Sequence, residues 1–143
     1  MKIATYNVNS IRSRLHIVLP WLEKNRPDYF CMQETKVDDS SFPADHFAGL
    51  GYHVVFKGEK QYKGVAIASL ARPQKVACGL DDEPADHDRL IAATYNGLTI
   101  INTYVPQGQE TASPQYAYKL AWFGRLKKYL QNHFSPGNQL IWC

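Results

Sequence analysis

The chain has 143 residues, 45% of them apolar, and a formal net charge of +3 at pH 7. That length supports one hydrophobic core of ordinary domain size and leaves two independent domains marginal, while the mild positive charge permits a polyanionic partner without demanding one. The three cysteines, Cys31, Cys78 and Cys143, have no CxxC or Cys/His spacing, so neither a disulfide framework nor a zinc site is indicated and a reducing, cytoplasmic setting is the default.

Lys2 to Val8 opens the chain as a strand. Tyr6, Asn7 and Asn9 interrupt the apolar segment that a signal peptide would need, and no later run approaches a membrane span, so no membrane partner is expected. "NVNS" breaks the strand. Leu15, Val18, Leu19 and Leu22 then recur at helix spacing. Pro20 falls inside that pattern and predicts a kink or a late start near His16, because an interior proline removes a hydrogen bond. Arg26 and Pro27 end the helix, and Tyr29 to Met32 follow as a short buried strand, with a connection long enough for parallel pairing.

After a loop rich in Asp, Ser and Pro, "YHVVFK" and "GVAIASL" predict an antiparallel pair separated by the charged stretch "GEKQYK". "RLIAATYNGLTIINTYVP" predicts a hairpin, since Asn96 and Gly97 tolerate the positive φ of a tight turn. Ser113 as N-cap and Pro114 as first helical residue start a second helix, whose apolar stripe is Tyr118, Trp122, Leu126, Tyr129 and Leu130. Pro136 and Gly137 stop it, and "NQLIWC" reads as another buried strand.

Several strands end in polar residues unsuited to a core. Val8 lies between Asn7 and Asn9, Met32 is followed by Gln33 and Glu34, and Tyr104 leads into "VPQG". In α/β sheets, sites form at strand ends, where loops supply polar groups on a rigid frame. Glu34 is either a solvated loop residue or an oxygen donor to a hard cation such as Mg²⁺. Asn7 and Asn9 are equally good turn formers, and Tyr104 is equally an ordinary strand aromatic.

The order of four segments narrows the choice. "IATYNVNSIRSR", "PDYFCMQETK", "KGVAIAS" and "DRLIAATYNGLTIINTYVPQG" closely resemble, in sequence and order, the exonuclease III and apurinic/apyrimidinic endonuclease family within the endonuclease/exonuclease/phosphatase superfamily. The resemblance runs from Met1 to Cys143. It implies a four-layered α-β-β-α sandwich of the DNase I-like type, incomplete here, with residues 1–143 as the amino-terminal part of a single domain. It also implies a Mg²⁺-dependent DNA-repair nuclease, with Mn²⁺ as a possible substitute, acting on duplex DNA at abasic sites or 3′ ends. Matched by motif, Asn7 and Tyr104 correspond to catalytic residues and Glu34 to the metal ligand. Arg89, Tyr62, Lys63 and Arg12 correspond to residues that contact DNA.

The family's Gly-Asp-x-Asn motif does not occur in this sequence, and neither therefore does the Asp-His pair that follows it in the family. Two alternatives therefore stand beside the nuclease: a catalytically incomplete half-domain that binds nucleic acid or a complementary half, and a phosphoesterase of the same superfamily with another substrate. The resemblance implies a monomer at full length, whereas the chain as written is expected to leave one sheet without a packing partner and to self-associate.

Overall fold

Residues 1–143 are described by a computed structural model. The strands are β1 (Ile3–Asn7), β2 (Tyr29–Gln33), β3 (His53–Glu59), β4 (Tyr62–Ser69), β5 (Lys75–Cys78), β6 (Leu90–Tyr95), β7 (Leu98–Thr103) and β8 (Gln139–Trp142). The helices are α1 (Ile11–Asn25), α2 (Ala44–Gly49) and α3 (Pro114–His133), with a 3-10 turn at Asp39–Ser41. No helix is long and apolar enough to cross a membrane.

The strands form two four-stranded sheets, ordered β1-β2-β4-β3 and β5-β6-β7-β8. β1 and β2 pair in parallel, as the intervening helix requires, and so do β7 and β8; the remaining pairs are antiparallel. Alternation along each strand sends side chains to two different cores. Tyr29, Cys31, Val65, Ile67, Ile91, Ala93 and Ile100 pack between the sheets. Phe30, Met32, Ala66 and Ala68 face the other way, against Val18 and Leu22 of α1 and Phe47 of α2. Leu90, Ala92 and Ile101 meet Trp122, Leu126 and Tyr129 of α3. Both faces of the inner strands are therefore buried, which is why their sequences run as continuous apolar stretches.

The hairpin forms as predicted, with Asn96 at φ 49° and Gly97 at φ 90°. Ser113 caps α3, its side-chain oxygen accepting from the Tyr116 N–H, and Pro114 occupies the first turn. Three expectations are corrected. First, α1 begins at Ile11 rather than near His16 and continues through Pro20. Both His16 and Pro20 are exposed, so water can satisfy the His16 carbonyl that Pro20 cannot bond. Second, most of "GEKQYK" is strand, with only Lys60 and Gln61 between β3 and β4. Third, neither sheet lacks a packing partner: the two pack on each other, and helices cover the outer face of each. The large apolar residues left exposed on one flank are Tyr6, Ile17, Trp21 and Trp142, close to the outer strands β1 and β8. β5 was not apparent from periodicity; its residues are mostly exposed, and pairing with β6 defines it.

Trp122 is fully buried at the centre of the α3 contact. Trp122→Ala is expected to destabilise the fold by about 3–5 kcal/mol, measurable as a lowered urea midpoint.

Candidate active site

The inner faces of β1, β2 and β7 change character together. Along β1 the inward row runs Ile3, Thr5, Asn7; along β2, Tyr29, Cys31, Gln33; and along β7, Leu98, Ile100, Asn102, with Tyr104 just beyond. Each row begins apolar and ends polar at the same end of the sandwich. An open groove there is lined by Thr5, Asn7, Gln33, Tyr104 and Trp142.

Glu34 sits at that end as the first residue past β2, in the left-handed conformation at φ 53°. Asn9 (φ 42°), Ser10 (φ 82°), Lys36 (φ 53°) and Lys63 (φ 49°) share that conformation around it. Such backbone is costly for residues with side chains, at roughly 1–3 kcal/mol each, and persists only where surroundings enforce it. Here main-chain hydrogen bonds enforce it. The N–H groups of Val8, Ser10 and Ile11 donate to the carbonyls of Gln33, Glu34 and Thr35. On the other side, Thr35 and Lys36 donate to the carbonyls of Gly64 and Lys63, and Gly64 donates to Asp88. Gly64 has φ 96°, and a Cβ there would overlap the Thr35 hydroxyl, so glycine is required for this close approach.

The side chains complete the arrangement. Asn7 Nδ2 donates to Glu34 Oε1 at 2.7 Å, and Asn7 Oδ1 accepts from the Asn9 N–H at 3.1 Å. Lys36 Nζ lies 3.1 Å from Glu34 Oε2 and donates to Asn9 Oδ1 at 2.5 Å. Burial raises the Glu34 pKa, but hydrogen bonds from Asn7 and Lys36 and the Lys36 charge outweigh it, leaving the carboxyl below its ordinary value. Burial and the adjacent Glu34 charge raise the Tyr104 pKa, with Arg89 opposing. The phenol therefore stays protonated near neutral pH and can donate a hydrogen bond; a phenolate role is not supported.

The fold thus brings Asn7, Glu34 and Tyr104 together. Arg89 stands behind Tyr104: Nη1 donates to the Tyr104 carbonyl at 3.1 Å, and the guanidinium lies 4.8 Å from that ring's centroid. Its side chain is only 11% exposed. The loop carrying Arg89 is pinned to α3, where Tyr118 donates to Asp86 at 2.8 Å and Arg125 bonds Asp82 and Asp86 at 2.9 Å each. Lys63 pairs at 3.1 Å with the buried carboxylate of Asp88. Tyr62 is 67% exposed at the start of β4, and Arg12 is exposed on the first turn of α1.

Sequence reasoning missed Lys36 and Asn102. Lys36 lies two residues after Glu34, past the end of β2, and it pairs with the carboxylate from left-handed backbone that the sequence does not announce. Asn102 lies in an apolar run with nothing to mark its inward orientation.

No group of three or more His, Cys, Asp or Glu side chains is gathered in the structure. One carboxylate nonetheless fits Mg²⁺, which commonly takes one or two carboxylates and fills its shell with water and substrate phosphate oxygens. Both Glu34 oxygens accept hydrogen bonds here, yet a carboxylate has about four lone-pair positions and can accept further partners.

A family model described as the endonuclease/exonuclease/phosphatase family matches residues 4–143. The chain is 33% identical over 147 residues to exodeoxyribonuclease III of Haemophilus influenzae, covering 99% of this chain and 55% of that protein. It is 28% identical to a DNA-(apurinic or apyrimidinic site) endonuclease of Dictyostelium discoideum, 40% of which is covered. Among solved structures, an AP endonuclease from Archaeoglobus fulgidus superposes with TM-score 0.97 at 57% identity, covering 100% of this chain and 56% of that one. The 3′ phosphatase NExo from Neisseria, bound to a product DNA hairpin, superposes with TM-score 0.94 at 40% identity, covering 99% and 56%. The chain spans about half the length of the relatives it matches.

Because its folded pKa is lowered, Glu34 contributes stability that is fully present above the ordinary carboxyl value and lost as pH falls through the lowered one. Glu34→Gln has no such contribution to lose. Thermal melts at about pH 6 and about pH 3 are expected to show a smaller drop for this variant than for the unaltered chain.

Proposed function

The chain belongs to the endonuclease/exonuclease/phosphatase family, and from that premise we propose that it serves a Mg²⁺-dependent DNA-repair nuclease cutting phosphodiesters 5′ to abasic sites or at 3′ ends. The observation that carries this reading is the meeting of the Glu34 carboxylate with Asn7 and Tyr104, two residues that line the strand-end groove. Exodeoxyribonuclease III and AP endonucleases among its relatives support the substrate class.

Glu34 would hold Mg²⁺, or Mn²⁺ in its place, and the bound ion would neutralise charge on phosphate oxygens. Asn7 and Lys36 keep the Glu34 carboxylate ionised and oriented for that task. Tyr104, protonated, donates to a phosphate oxygen. Arg89 fixes Tyr104 from behind and leaves little surface for DNA, so among the basic residues the backbone contacts fall chiefly to Arg12 and Lys63, with Tyr62 beside them. Binding through these groups falls as salt rises.

A second reading, a half-domain that binds nucleic acid or a complementary half, is favoured by a single observation: the flank of β1 and β8 exposes Tyr6, Ile17, Trp21 and Trp142. Under this reading the chain alone self-associates through the flank bearing Tyr6 and Trp142, and a sharp melt of a strictly monomeric species would count against it.

In Mg²⁺, the protein is expected to nick a duplex carrying one abasic site far faster than it hydrolyses small phosphate esters. Glu34→Ala should reduce nicking by roughly 100-fold or more. Absence of nicking, or nicking undiminished in the variant, would sink the nuclease reading.

A further inference from the structure

Behind the groove, a buried amide ties the two sheets together. Asn102, on the inner face of β7, has no exposed surface. Its Nδ2 donates to the Met32 carbonyl at 2.8 Å and the Ala66 carbonyl at 2.9 Å, on residues paired across β2 and β4. Its Oδ1 accepts from Gln33 Nε2 at 2.6 Å, and the same Gln33 nitrogen donates to Thr5 Oγ1 at 2.9 Å. One side chain of the second sheet is thus bonded directly to β2 and β4 and, through Gln33 and Thr5, linked to β1.

Burying an amide is costly unless it is hydrogen-bonded, and here both donors and the acceptor are used. Apolar contact between sheets is non-directional and tolerates small slides of one sheet over the other, whereas hydrogen bonds fix distance and angle. The placement is also specific. Gln33 directly precedes Glu34, Asn102 is two residues before Tyr104, and Thr5 is two residues before Asn7. Any slide of β7 against β2 would separate the phenol from the carboxylate.

We propose that Asn102 is a positioning residue, which through Gln33 sets the register between the sheets and so places Tyr104 against Glu34. Its kinetic consequence rests on the nuclease reading, while its geometric consequence does not. Asn102→Leu keeps a comparable volume and removes every bond; Gln33→Met removes only the amide-to-amide bond and the link to Thr5.

With an abasic duplex as substrate, Asn102→Leu should lower kcat by about 10- to 100-fold, with KM held within about 2-fold. In a Tyr104→Phe background, where no phenol remains to be misplaced, most of that cost should vanish. An equal cost in both backgrounds, the signature of a purely structural role, would overturn the proposal. Should Asn102→Leu fail to fold, Gln33→Met decides by the same comparison, with a smaller loss of kcat that likewise vanishes. If the unaltered protein does not nick DNA, the nuclease reading alone fails, and nuclear Overhauser contacts from the Tyr104 ring to Glu34 and Asn7 decide instead. Loss of those contacts in Gln33→Met supports the positioning role, and their persistence overturns it.

Discussion

The residue that bears the site's carboxylate is held by its main chain from two directions. Segments 8–11 donate to the carbonyls of 33–35, and residues 35 and 36 donate to the carbonyls of 63 and 64. A segment bonded on both sides behaves mechanically like an inner strand even though its backbone is not extended. Its left-handed residues can therefore persist, and they turn Glu34, Lys36 and Asn9 toward a common point. Were this region an ordinary mobile loop, the carboxylate would lose its fixed partners and with them the lowered pKa.

The same economy governs charge. Much of the positive charge that seemed scattered along the sequence is used internally: Lys36 on Glu34, Lys57 on Asp39, Lys63 on Asp88, and Arg125 on Asp82 and Asp86. The exposed pairs contribute little to stability. Those with a buried acid serve a different purpose, holding loops at fixed positions around the groove. Arg89 illustrates it, because a guanidinium stacked on Tyr104 and bonded to its carbonyl governs where the phenol stands.

The hairpin at Asn96 and Gly97, the capped start of α3 and the parallel pairing of β1 with β2 were all legible, since each depends on local chemistry or on simple periodicity. Asn7, Glu34 and Tyr104 were legible as polar residues at strand ends, and the family resemblance gave them roles. What escaped was orientation across the sheets. Asn102 lies between Ile101 and Thr103, and only knowledge of which face looks inward reveals that its amide meets Gln33. Lys36 escaped because its reach depends on departures from strand geometry at both Glu34 and Lys36. Pro20 misled for the opposite reason, since its penalty presumes a buried carbonyl and the helix presents that turn to water.

The outer strands differ in one telling respect. β3 carries His53, Lys57 and Glu59, and β5 begins at Lys75, whereas β1 and β8 contain no charged residue at all. Charges on an edge discourage further strands from adding there. Backbone pairing with a further strand is therefore least opposed along β1 and β8, the flank that also exposes Tyr6 and Trp142.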